Sequence, residues 1–166
     1  MKKLNNKGFS LLELVMVCVM IGILTSIGLP KYRRAVDRAR VGEALSLMRS
    51  IYDSCERYAW EHPVEGNRSC WAAASAQNGA TFENLDIIVK GQFVENSGKK
   101  KLQTKNFVYT LTGNSNSPIT AEATKGVYSG AKIEFNGQEF SCDVSGAGAG
   151  EGQQACKVWG AATWNQ

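Results

Sequence analysis

The residues of this 166-residue chain that could do chemistry are few and oddly placed. Glu13 is the single charged residue between Phe9 and Pro30. Five cysteines stand at positions 18, 55, 70, 142 and 156, and His62 is the one histidine. No Cys-x-x-Cys occurs, so a zinc site lacks its usual spacing, and no metal is expected. His62 precedes Pro63 where a helix should end, which leaves no base for a Ser/His/Asp triad. No pair of carboxylates marks an acid/base cleft. "GAGAGEG" (146–152) has the glycines of a phosphate loop but lacks the strand-to-helix setting and the Lys-Ser/Thr that hold a nucleotide. Catalysis and cofactors are therefore not expected.

Two further stretches have a bland reading and a sharper one. "GKKK" (98–101), with Lys105, reads as a solvated basic loop. Contact with anionic surfaces or nucleic acid lacks the aromatic residues on which bases stack. "EGNRS" (65–69) fits Asn-x-Ser at Asn67, with an acid two residues earlier. Glycosylation there is one reading, but the motif is short and common by chance.

The cysteines indicate a compartment. Cys18 lies in an apolar run and behaves as a small apolar residue. The other four, Cys55, Cys70, Cys142 and Cys156, make an even set and allow three pairings. Adjacent pairing, Cys55–Cys70 and Cys142–Cys156, closes two local loops and is the easiest to reach. Each loop would contribute about 3 kcal/mol in the chain-entropy account. Such bonds persist in an oxidising, extracytoplasmic setting.

The chain that must position these groups has 43% hydrophobic and 20% charged residues, ordinary for a globular domain. Its net charge is +4, of which Lys2, Lys3 and Lys7 supply three, so residues 9–166 carry 4 − 3, or +1. That is no nucleic-acid-binding balance. The lysines precede Phe9–Leu29, 21 residues that are apolar, small or hydroxylated apart from Glu13. About 20 such residues span a bilayer as a helix, and a basic flank marks the cytoplasmic side. A carboxylate inside a span costs about 2.5–3.5 kcal/mol at its centre, less near an interface, and needs a cationic partner. No Lys, Arg or His lies between Phe9 and Pro30 to supply it. A secretory signal cut near Ser26 and Gly28 is the competing reading, and Glu13 weighs against it.

After Pro30 the pattern becomes amphipathic. Val41, Leu45, Met48, Tyr52, Cys55 and Ala59 recur at helical spacing, with Arg38, Glu43, Arg49, Asp53 and Arg57 off the stripe. His62-Pro63 should end the helix. From about Phe9 to Glu61 it would be roughly 80 Å long. Residues 63–166 read as a β head: a helical turn near Phe82–Leu85, strands in 106–113 and 118–125, a hairpin over 131–144 with a type I′ turn at Asn136-Gly137, and a last strand at 155–160. Ser145–Gly152 reads as a flexible loop. The predicted class is α+β, a long helix packed on about four antiparallel strands.

"KGFSLLEL" before a long apolar run resembles the N-terminal signal of the type IV pilins and the type II secretion pseudopilins. The short leader and Phe9 resemble the type IVa group. The resemblance implies cleavage by a prepilin peptidase between Gly8 and Phe9, N-methylation of Phe9, and a register-setting role for Glu13, fifth after the cut, toward the α-amine of Phe9 on its own or a neighbouring subunit. Ser10 stands where the family most often has Thr, and Leu12 where it most often has Ile; both keep the chemistry. "GLPKYRRAV" is also similar to the family, and the likeness makes Gly22, Gly28 and Pro30 the stretch that melts when subunits pack. The family fold is a long helix on a strand sheet, and Cys142–Cys156 resembles its C-terminal disulfide-bounded loop.

The implied organisation is a leader (1–8), a transmembrane or filament-core helix (9–29), an amphipathic helix (30–62) and a β head (63–166). The implied function is a structural subunit of a type IV pilus, held in the inner membrane as a precursor and then polymerised at the cell surface of a Gram-negative-type bacterium. Its partners would be other pilin subunits, the peptidase/methyltransferase, and an inner-membrane platform with its ATPase. The alternatives are a type II secretion pseudopilin and a monomeric membrane-anchored adhesin or receptor. Residues 140–166 hold only Asp143 and Glu151 as acids, few for the calcium site common in the major pseudopilin.

Overall fold

Between Ser10 and His62 only Pro30 lacks a backbone donor, and one helix runs through it. The computed structural model describes residues 9–77, 79–96, 99–125, 129–143 and 151–160. Helix α1 extends from Leu11 to Glu61 with Pro30 inside it. The chain divides into two units, residues 1–36 and 37–166, and α1 contributes to both. In the first unit every residue from 9 to 35 is exposed. The helix there is long and apolar enough to cross a membrane.

In the second unit α1 buries Val41, Ala44, Met48, Ile51, Cys55 and Ala59. The expected stripe is thus rotated slightly: Ala44 and Ile51 are fully buried, while Leu45 and Tyr52 lie at its half-buried margin.

The sheet has six antiparallel strands in chain order: β1 (Gln92–Asn96), β2 (Lys99–Gln103), β3 (Phe107–Leu111), β4 (Ile119–Ala123), β5 (Lys132–Phe135) and β6 (Phe140–Asp143). β3 to β5 bury alternate residues, as period-two strands with one covered face must. Tyr109, Leu111, Ile119, Ala121, Ile133 and Phe135 share one core with the α1 stripe. Tyr52 of α1 meets Phe135 edge-on, centroids 5.4 Å apart, and Phe135 stacks on Phe140 at 4.2 Å.

Four expectations are corrected. The sheet has six strands rather than four, because β1 and β2 add a hairpin whose register runs from Gln92↔Gln103 to Asn96↔Lys99. Three consecutive lysines mask the alternation there; Lys99–Lys101 belong to a strand and not a loop, and Gly98 lies outside the described residues. The β5–β6 turn is shifted by one residue. Phe135 pairs with Phe140, the Asn136 amide donates to the Glu139 carbonyl, and the central pair is Gly137-Gln138. Only Gly137 has positive φ, +97°, the pattern of a type II′ turn and not type I′. Asn136 Oδ1 instead accepts from the amides of Gln138 and Glu139.

The segment after Val64, read as loop, holds a short helix α2, Cys70–Ser75, ahead of the expected turn at Phe82–Leu85. The last element is helix α3, Glu151–Trp159, where a strand was expected. Among its described side chains Ala155 and Trp159 are buried, four apart, and Val158 packs beside them. "ACKVW" carries apolar residues at both periods, and the helical one prevails. Arg38 Nε donates to the Val158 carbonyl at 2.7 Å, satisfying one of the acceptors left over at the end of α3. Of the predicted Ser145–Gly152 loop, 145–150 lie outside the described residues, while Glu151 and Gly152 belong to α3.

Candidate assembly site

Gly8 lies outside the described residues, and Phe9 is exposed immediately before α1. The first turn of α1 is closed by a reciprocal pair. Ser10 Oγ accepts from the Leu12 amide at 3.3 Å, and the Ser10 amide donates to Glu13 Oε2 at 3.0 Å. This is a capping box, whose serine and glutamate satisfy amides that a helix N-terminus leaves unpaired. Its sequence signature is the Ser-x-x-Glu of "SLLE" (10–13). Within a single chain, then, Glu13 already has a hydrogen-bonding task at the helix start. It still lacks a cationic partner among the described residues.

Further along, Thr25 Oγ1 donates to the Ile21 carbonyl at 2.7 Å and Ser26 Oγ to the Ile23 carbonyl at 2.7 Å. Such back-bonding competes with the main-chain ladder and bends helices. Gly22 and Gly28 add backbone freedom, and Pro30 supplies no amide to the carbonyl four residues before it. The stretch from Gly22 to Pro30 is helical here, but five of its nine residues weaken a helix. Cys18 is exposed and unpaired in the apolar half.

In the head, disulfides join Cys55 to Cys70 and Cys142 to Cys156. The first ties α1 to the start of α2, and the second ties β6 to α3. A polar latch that sequence reasoning missed lies near the first. The buried Ser54 hydroxyl donates to Asp86 Oδ1 and accepts from the Asp86 amide at 3.1 Å. Arg57 adds two hydrogen bonds, of 2.8 and 3.0 Å, to the two carboxylate oxygens. Arg57, then Ser54, hold the Asp86 carboxyl down at about 2. Burial, with Glu56 beside it, pushes the Tyr52 phenol up to about 12. Among the described residues no group of three or more His, Cys, Asp or Glu side chains is placed to hold a metal.

An apolar, fully exposed helical segment joined to a disulfide-bonded α+β head defines the class as a membrane-anchored or polymerising subunit. Comparison with known proteins gives the family. The prokaryotic N-terminal methylation motif matches residues 3–29. The fimbrial protein EcpC of Eikenella corrodens is 30% identical over 145 residues, 87% of this chain and 86% of that protein. The type IV major pilin PilE of Neisseria gonorrhoeae is 32% identical over 111 residues, 66% of this chain and 57% of the gonococcal one. A fimbrial protein of Moraxella nonliquefaciens is 51% identical over 41 residues, a quarter of this chain. The chain thus spans little more than half the length of the gonococcal pilins it matches. No solved structure matches it significantly. The chain belongs to the type IV pilin family and carries its prepilin signal.

Proposed function

We propose that this pilin is made as a precursor, anchored in the inner membrane by Phe9–Leu29, cut after Gly8, methylated on Phe9, and polymerised into a surface filament. The observation that carries the reading is the exposure of every residue from 9 to 29 on an apolar stretch of helix. That surface is at home in lipid or against other copies of itself, where helices associate through packing and polar pairing. In this reading the β head stays outside the core, and residues 1–8 are the leader. The peptidase/methyltransferase and an inner-membrane platform with its ATPase process and drive the subunit. The relatives named as major pilins favour a pilus over a secretion pseudopilus.

Glu13 would serve twice: as the capping partner of Ser10 in the free subunit, and as the anion that meets a Phe9 amine in the filament. A charge pair in apolar surroundings rewards one register and penalises others. Glu13→Ala removes both roles, and Glu13→Gln keeps an acceptor for the Ser10 amide while removing the charge. Both variants are expected to be cut and to remain in the membrane, and neither should yield surface filaments. Normal filaments from Glu13→Gln would reduce the residue to a helix cap. The intact mass of the protein in sheared filaments tests the rest: a chain beginning at methylated Phe9 is expected, and one still carrying Met1 would overturn the reading.

A further inference from the structure

We propose that Asn67 is an acceptor for asparagine-linked glycosylation, presented by a preformed turn on the surface of the folded head. The sequon Asn67-Arg68-Ser69 meets the minimal requirement, and an acid, Glu65, stands two residues before Asn67. What the fold adds is geometry. Val64 and Asn67 exchange main-chain hydrogen bonds of 3.0 and 2.8 Å across a tight turn. Its central residues, Glu65 and Gly66, have φ of +50° and +80°. Glu65, Gly66, Asn67 and Arg68 are all exposed.

The Asn67 side chain is held in one orientation. Its Oδ1 accepts from the Ser69 amide at 3.0 Å and from the Ser69 hydroxyl at 2.7 Å. Its Nδ2 has no partner among the described residues, so the nitrogen faces solvent while the oxygen faces the chain. Ser69 occupies the N-cap position of α2, yet its side chain makes no cap hydrogen bond. Its hydroxyl is spent on Asn67 instead. Arg68 is drawn aside onto the Trp60 ring, 4.9 Å from the centroid, leaving the approach to Asn67 open. The Cys55–Cys70 disulfide closes the loop that carries the sequon.

The reaction class follows. The co-reactant is an oligosaccharide linked through its anomeric carbon to a polyprenyl diphosphate. Asn67 Nδ2 attacks that carbon and loses one proton, which the departing diphosphate takes up. The N–C bond forms, the C–O bond to the diphosphate breaks, and the polyprenyl diphosphate leaves with the electron pair. Negative charge that builds on Oδ1 as Nδ2 is deprotonated meets two donors from Ser69. No oxidant or reductant is required.

The inference rests on the export reading above, since such donors are used outside the cytoplasm. The test is the intact and peptide mass of the full chain recovered from the bacterium that makes it. The expected result is a whole number of sugar residues on the peptide containing Asn67. The increment should vanish in Asn67→Gln and Ser69→Ala and persist in Ser69→Thr. Bare Asn67 on a chain that begins at Phe9 and carries both disulfides would overturn this proposal and leave the assembly reading intact. Sugar confined to Ser or Thr would overturn it equally. A chain still starting at Met1, with four free thiols in the head, would sink the export reading and this proposal together.

Discussion

A single carboxylate illustrates how pH should act on the head. Asp86 is held at about 2 in the folded state, against an ordinary value near 3.9. Its folded value is depressed, so its contribution to stability is complete above the ordinary value and is lost as pH falls from about 4 toward 2. Both partners of the Arg57 pair are more than half exposed, which makes that pair weak. The Ser54 hydroxyl is buried, and leaving Asp86 without it is the larger loss. Ser54→Ala is expected to destabilise the head by about 1 kcal/mol. Asp86→Asn should lower the urea midpoint at pH 6, and the gap from the native protein should narrow as pH falls from about 4 toward 2. A gap unchanged across that range would show that the carboxylate's charge plays no part.

At the scale of elements, Gly137 shows why one turn tolerates one residue. Its φ of +97° is a glycine conformation, and a β-carbon there would collide with the Tyr52 ring on α1. Gly137→Ala is expected to cost about 1–3 kcal/mol and to loosen the β5–β6 hairpin from the helix. Chemical denaturation reads the first effect, and hydrogen exchange across 132–143 the second. The stretch from Gly22 to Pro30 makes the opposite prediction. In detergent its amides should exchange faster than those from Val15 to Ile21, and Pro30→Ala should slow them. Uniform protection on both sides of Gly22 would remove the basis for a melting segment.

These elements also show what could be read in advance. The two halves of α1 and strands β3 to β6 announce themselves through periodicity or apolar length, because one covered face imposes a spacing on the residues beneath it. Asn136-Gly137 marked the hairpin but not its phase, since Asn136 caps the turn with its side chain instead of entering it. β1 and β2 carry no such spacing: Gln92 through Glu95 are exposed, and Lys99–Lys101 are charged. α3 was hidden because "ACKVW" suits either period. Glu13 stands out as a charge in an apolar run, while its cap with Ser10 rests on a short Ser-x-x-Glu pattern that the apolar surroundings mask. The Ser54–Asp86 contact spans 32 residues and left no local mark.

For the whole molecule, the covalent frame is simple. The bonds Cys55–Cys70 and Cys142–Cys156 span 15 and 14 residues. Removing the second with Cys142→Ser and Cys156→Ser is expected to cost the head about 3 kcal/mol, measured as a fall in its denaturation midpoint. α3 should detach first, since the bond joins it to β6. Equal midpoints with and without the bond would show that Ala155, Trp159 and the Arg38 contact suffice to hold it.

The chain-order meander has a kinetic consequence. Every strand pairs with its neighbour in sequence, so each step closes a short loop, and short loops close at little entropic cost. The cysteines follow the same order: each thiol that emerges second finds its partner already beside it. On the proposed membrane route the head emerges from its helix-proximal end, and it can therefore assemble progressively, strand upon strand, while the apolar helix stays in the lipid. Oxidation in order of emergence gives the native bonds, and such a head should mature with an oxidant alone, without an isomerase to reshuffle it.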